Sequence, residues 1–106
     1  MAWVLLSIAS CFEVLMALGL KWSHGFTRLG GSLLAIAAGI ISMTLLALAL
    51  RTLPVGTGYA VWTGLGAVFT ALVGIVALGE SRDALRLVGI AAVVLGVVLL
   101  QLTEPH

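Results

Sequence analysis

Apolar residues run through this chain in four long blocks, separated by three short polar or charged intervals. The first block extends roughly from Ala2 to Leu20 and is broken only by Glu13; the others run roughly from Ser32 to Leu50, Val55 to Leu78 and Ala84 to Leu102. Each has the ~20-residue length that an α-helix needs to cross the hydrocarbon core of a bilayer. The intervals are Lys21 to Arg28, Arg51-Thr52-Leu53-Pro54 and Glu80-Ser81-Arg82-Asp83, with Pro54 suited to the first turn of the helix that follows it. The pattern predicts an all-α membrane protein: one transmembrane domain over residues 1–106, four antiparallel helices, and both termini on the same side. The first block has no Lys or Arg before it and no small-residue cleavage pattern after it, so it reads as a retained helix and not a signal peptide.

Composition sharpens this. Of the 106 residues 62% are apolar and 8% charged, against about a quarter charged in a soluble domain, which excludes one here. The five basic residues are scattered, so no nucleic-acid partner is expected. Lys21, Arg28, Arg82 and Arg86 belong to the first and third connections and Arg51 to the other side, a bias that favours the termini outside. Cys11 has no second Cys and reads as a small core residue. His24 and His106 lack neighbours at metal-ligand spacing, and Asp83 is far in sequence from Glu13, so neither an enzyme, a metal site nor a cofactor is expected.

Glu13 is the exception to the pattern. It lies about 18 Å along the first helix, near the middle of the bilayer, where an acid costs about 3 kcal/mol on insertion scales. With Arg86 counted in the third connection, no Lys or Arg occurs inside a span to pair with it. A proton or an imported cation is then the natural partner; a protonated Glu bonded to a neighbouring helix is the purely structural alternative. Helical spacing puts Leu6, Ala9, Ser10, Met16, Ala17 and Leu20 on or beside its face, with small side chains leaving room around the carboxylate. In the second helix Ala35, Ala38, Gly39 and Ser42 form a small-residue stripe from which Ser42 either donates to ionised Glu13 or cements packing. Tyr59 and Trp62 share a face of the third helix and suit a cation site, although Tyr59 taken alone fits an interfacial belt as well; Trp3 and Trp22 fit the belt better. Gly64 and Gly66 permit a bend, or close helix packing. Gly89, Ala92, Val93, Gly96 and Val97 line one edge of the fourth helix and read as the joint between two subunits. Four short helices are too few to enclose a substrate and gate it from both sides, so a transporter of this size requires two copies.

The chain resembles the small multidrug resistance family of bacterial exporters over essentially its whole length. The resemblance is carried by Phe12-Glu13-Val14, Lys21 through Arg28, Leu53 through Thr57, Tyr59 through Gly64, and the Gly89 to Val97 edge. It implies a multi-pass protein of the bacterial inner membrane and an antiparallel dimer. That dimer is either a homodimer or a pairing with an oppositely oriented homologue, and it exports small organic cations in exchange for protons. Trp62 through Ala67, Ser42 and Gly79-Glu80-Ser81 resemble the guanidinium-exporter subtype more than the quaternary-ammonium subtype. On that pattern Glu13 binds substrate or proton, Ser42 orients Glu13, and Tyr59 and Trp62 line the pocket. Met16 stands where this subtype usually has Trp, and Ser10 where it usually has Gly.

The expectation is therefore a proton-coupled exporter of guanidinium-like cations, with protons and cation competing for Glu13. Two rivals remain at the level of sequence. A broad-specificity exporter of quaternary ammonium or other hydrophobic cations is favoured by the flexible Met16. A non-transporting accessory membrane subunit would use the Gly-rich helices for assembly alone.

Overall fold

A computed structural model describes residues 1–103; Glu104 and His106 lie outside them. Four helices make up the fold: α1 (Ala2–Trp22), α2 (Leu29–Ala49), α3 (Val55–Ala77) and α4 (Ala84–Thr103). Each is long and apolar enough to cross a membrane. Lys21 belongs to the last turn of α1 and Arg86 to the first turn of α4, so both charges project from helix ends.

The helices do not close into a square bundle. α1 packs extensively on α2 and also on α3, and among the described residues the backbone of α4 comes close to α3 alone, which orders the helices as a row, α2–α1–α3–α4. The resulting body is flat, measuring 43 × 34 × 17 Å. Every described side chain of α4 is exposed or only half-buried. The deepest apolar packing gathers Leu6, Ala9, Leu46, Ala49, Leu53, Val61 and Trp62 at the end where Leu53 tucks the α2–α3 connection under the helices.

Glycine explains why α1 and α2 pack so closely. A β-carbon added to Gly19 would lie 2.5 Å from the Ala35 amide nitrogen, and one added to Gly31 would run into the Trp22–Ser23 backbone. Backbone thus meets backbone, the close approach that small residues allow between membrane helices. For the same reason α2 begins at Leu29 and not near Ser32: Gly31 is needed inside the first turn, where it rests on the end of α1. The connection between them satisfies its own polar groups. Buried Ser23 donates its hydroxyl to Leu20 O (2.7 Å) and accepts from Phe26 N–H (3.0 Å), while its carbonyl accepts from Thr27 and Arg28 N–H. His24, Gly25 and Phe26 all have positive φ (48°, 75° and 67°), reversing the chain within three residues. His24 is exposed in this turn.

One expected placement changes. Cys11 is exposed and not a core residue, because two positions from Glu13 is about 200° around the helix. It borders an apolar groove with Val14, Phe69 and Val73. Leu20, seven residues beyond Glu13 and so on the same helix face, is 41% exposed.

The backbone contact at Gly19 predicts that Gly19→Ala destabilises the fold by about 1–3 kcal/mol, the usual scale of overpacking. Gly30→Ala, which meets open space, leaves stability unchanged or slightly raised. Denaturant titration of the protein in detergent micelles, followed by tryptophan fluorescence, distinguishes the two.

Candidate functional site

Glu13 projects from α1 toward α3, and its carboxylate lies directly over Gly66. A β-carbon added there would collide with the carboxylate carbon and oxygens. Gly66 is therefore a seat for the acid. The Glu13 Oε2 atom is buried and has no hydrogen-bond partner among the described residues. An unpaired carboxylate oxygen in an apolar setting is costly unless a proton or a cation reaches it.

The acid opens onto a groove of about 380 Å³ between α1 and α3. Its walls carry Met16 and Ala17 beyond Glu13, and Gly66, Thr70 and Gly74 along α3. Met16 reaches across to α2, where its Sδ would sit 3.1 Å from a β-carbon on Gly39. A flexible thioether thus forms the side wall one helical turn from the carboxylate. At the far end of the groove stand Lys21, Glu80 and Arg86.

Ser42 and Trp62 meet, but in a different arrangement from the one expected. The Trp62 indole Nε1–H donates to Ser42 Oγ at 2.9 Å, and Ser42 donates its single hydroxyl proton to Ala9 O at 2.7 Å. That proton is therefore not directed to Glu13, and Ser42 acts here as a bolt joining α1, α2 and α3. Ser10, on the neighbouring turn of α1, donates to Leu6 O at 2.9 Å with Trp62 O at 3.4 Å. Both serines are fully buried and Trp62 nearly so. Tyr59 is 56% exposed, its ring centroid 5.5 Å from that of Trp62 at an interplanar angle of 52°. Within this one chain, Glu13, Met16 and Gly66 share the groove, while Ser42 and Trp62, joined by a hydrogen bond, and Tyr59, in a tilted ring contact with Trp62, form a separate group.

The paired glycines of α3, Gly64 and Gly66, are sites of close approach. α3 runs unbroken through Gly64 and Gly66. A β-carbon on Gly64 would sit 2.8 Å from Val97 Cγ2 and 3.4 Å from Val93 Cγ1, so Gly64 is where α4 leans on α3. Val97, half-buried, therefore packs on α3 within the chain, and Val93 leans on the same glycine while remaining 38% exposed. Gly89, Ala92 and Gly96 lie on the exposed side of α4, with open space around both glycines.

Sequence reasoning treated Glu80, Arg86 and Lys21 as turn charges and missed their convergence on the groove. The available signal was the four-residue recurrence Gly66, Thr70, Gly74, which marks one face of α3, followed by Gly79. Gly79 adopts φ 67°, a left-handed stop that turns Glu80 back so that its N–H donates to Gly74 O at 3.0 Å. The Glu80 carboxylate then rests over Gly74 as Glu13 rests over Gly66. It accepts from Arg86 Nη2 at 2.7 Å, and Lys21 Nζ lies 4.0 Å from its other oxygen. The Arg86 hydrogen bond, opposed by partial burial and aided by the charges of Arg86 and Lys21, holds the Glu80 carboxyl below the usual carboxylate range. It is an anion at neutral pH.

A family model described as Small Multidrug Resistance protein matches residues 1–93. The chain belongs to the small multidrug resistance family. Its relatives include a protein of Escherichia coli (strain K12) that is 53% identical over 103 residues, covering 97% of this chain and 98% of the relative. Relatives from Salmonella typhimurium and Citrobacter freundii are each 52% identical over the same shares. All three carry the name "Guanidinium exporter". As a small multidrug resistance protein, the chain is a multi-pass transporter of the bacterial inner membrane, in contact with lipid and a small cation substrate.

The Trp62–Ser42–Ala9 chain yields a quantitative expectation for this small multidrug resistance protein. Trp62→Phe and Ser42→Ala each destabilise it by about 1 kcal/mol or more, the scale of a buried hydrogen bond. The double variant costs clearly less than the sum, because the two remove one shared bond. Unfolding midpoints of the four proteins in one detergent give the coupling.

Proposed function

We propose that this protein exports guanidinium or small guanidinium-like cations in exchange for protons, with Glu13 holding either one in turn. The observation that carries this reading is the buried, unpartnered Oε2 of Glu13 at the edge of a groove. Such an oxygen is satisfied by a proton or by a cation that supplies hydrogen-bond donors. A guanidinium ion presents its N–H groups in a plane that matches both oxygens of a carboxylate, a charge-assisted pair stronger than a point contact. The names of the relatives point to the same substrate class.

The working unit is an antiparallel dimer of two copies, or of this chain and an oppositely oriented homologue. A flat row of helices leaves the groove open on one side, and α4 offers Gly89, Ala92 and Gly96 as small, uncovered positions suited to helix–helix contact. A second, inverted chain completes the pocket with its own Glu13. Two carboxylates facing one space disfavour simultaneous ionisation, so arrival of a cation favours departure of a proton. Inverted subunits make the inward and outward openings equivalent, and exchange follows if the dimer turns over only when loaded. Tyr59, exposed on one chain but in a tilted ring contact with Trp62, is positioned to supply an aromatic wall to the pocket once a partner covers it.

Met16 supports a second reading, export of quaternary ammonium or other hydrophobic cations. Its thioether borders the carboxylate and adapts to varied apolar groups. The two readings part on hydrogen bonding, since a quaternary ammonium has no N–H to offer the Glu13 oxygens.

In proteoliposomes, guanidinium drives proton movement with a lower half-saturating concentration than tetramethylammonium; the reverse order would establish the second reading. Glu13→Gln abolishes coupled exchange while the protein remains folded in the membrane. Because proton and cation compete, the half-saturating concentration of guanidinium rises as pH falls, approaching about tenfold per pH unit where the carboxylate is mostly protonated. A pH-independent half-saturation would sink the shared-site mechanism.

A further inference from the structure

The groove has a carboxylate at each end. From Glu13 to the level of Lys21 the α1 wall rises about 12 Å, and over that distance the lining is Met16, Ala17 and the small residues of α3, with Thr70 as the polar step between. At the mouth, Glu80 is presented by design of the backbone: Gly79 turns the chain, the Glu80 N–H fastens to Gly74 O, and the absence of a side chain at Gly74 lets the carboxylate lie against α3. The same local device, an acid seated on a glycine of the same α3 face, thus occurs at both ends.

What occupies Glu80 is a guanidinium. Arg86 donates Nη2–H to Glu80 Oε1 at 2.7 Å and Nη1–H to Ser81 O at 3.0 Å. Its two terminal nitrogens are divided between the carboxylate and a backbone carbonyl, so Glu80 is held by one hydrogen bond and not by a bidentate fork. Glu80 Oε2 has only the loose approach of Lys21 Nζ at 4.0 Å. Both side chains of the Glu80–Arg86 pair are about one-third exposed (34% and 32%), the setting in which an ion pair forms and dissolves readily.

We propose that Glu80 is an outer subsite for guanidinium-class cations on the path to Glu13, and that the Arg86 head group is its tethered occupant, displaced by the passing substrate. The identification of the ligand rests on the export reading above; the geometry adds the place and the exchange. A free guanidinium entering the mouth offers Glu80 a complete two-nitrogen fork where Arg86 offers one nitrogen, while Arg86 retains Ser81 O. The arriving cation then leaves Glu80 for Glu13 along the groove, and the tethered head group returns. A cation without N–H donors cannot replace the hydrogen bond that Arg86 gives up, so the mouth discriminates by donor chemistry before Glu13 does. Weak holding suits this role, since a transit site must release what it binds.

The test follows the Arg86 side chain directly. The protein is labelled with ¹⁵N-arginine, reconstituted in bicelles as Glu13→Gln so that the inner carboxylate does not contribute, and titrated with guanidinium chloride or with tetramethylammonium chloride at equal ionic strength. Guanidinium shifts the Arg86 Nε–H resonance and speeds its exchange with solvent, tetramethylammonium does not, and adding Glu80→Gln removes the response. Equal responses to the two salts mean charge screening, and no response to guanidinium means no displacement; either overturns the subsite. With the inner carboxylate intact, Glu80→Gln raises the half-saturating concentration for guanidinium-driven proton movement about threefold, the scale of a partly exposed charge pair; an unchanged value also counts against it. Failure of the unaltered protein to move guanidinium at all instead defeats the export reading, an outcome that the resonance experiment distinguishes.

Discussion

One constraint organises this molecule: a carboxylate placed inside an apolar helix row without a basic side chain beside it. Removing Glu13 from water is unfavourable, and the fold does not offset this with a resident hydrogen bond to Oε2. In the proposed exchange the cost is met by mobile species, a proton or a cation, and the groove gives them a way to the acid. Gly66 gives the carboxylate a seat against α3, Ala17 and the small α3 residues keep a groove open beside it, and Met16 borders that groove without offering a competing donor. A Lys in the groove next to Glu13 would settle the charge permanently and end the exchange.

The helices and the acid were legible in the sequence because both depend on one-dimensional properties, the length of apolar runs and the rarity of charge within them. The functions of the small residues were not. Gly64 and Gly66 are equally good signals of a bend and of close approach, and only the position of α4 and of Glu13 shows that both are approach sites. Ser42 was correctly placed in a small-residue stripe, yet a hydroxyl has one proton. Which of Glu13 or Ala9 O receives it is decided by the offset between α1 and α2, which the backbone contacts at Gly19 and Gly31 set. Cys11 shows the same limit in reverse: its apolar character suits lipid as well as core, and rotation about the helix axis decides between them.

The bolt formed by Trp62, Ser42 and Ala9 O suggests how rigidity and motion are divided. It lies toward the end of the row where Leu6, Leu46, Ala49, Leu53 and Val61 pack together, so α1, α2 and the first half of α3 are cross-linked by apolar burial and by buried hydrogen bonds. At the opposite end of α3, the contacts that involve Glu80, Arg86 and Lys21 are partly exposed and ionic. Among the described residues α4 packs mainly on α3, through Gly64 and the valines that lean on it. Sub-global opening follows the weakest contacts. The groove mouth and α4 are therefore the parts of the chain best suited to move against a fixed α1–α2 body.

The two glycine-seated carboxylates then have different physical tasks, set by their surroundings and not by their chemistry. Glu13 has an oxygen buried among apolar groups, where electrostatic interactions are strong and a proton competes effectively with a cation. Glu80 is partly in water, already paired with Arg86, and held below the usual carboxylate range, so it stays ionised and protons do not compete for it near neutral pH. In the proposed mechanism coupling to protons therefore arises at the inner acid, whereas the outer acid sorts cations by whether they carry N–H donors. Met16 adds a third criterion between them, since a flexible thioether wall tolerates alkyl substituents that a rigid indole one turn from the acid would exclude. If the mouth, the wall and the inner carboxylate act as proposed, a cation carrying both an unsubstituted donor edge and a modest alkyl group satisfies all three, and the mechanism predicts that a singly alkylated guanidinium drives proton movement at a lower half-saturating concentration than a fully N-alkylated one.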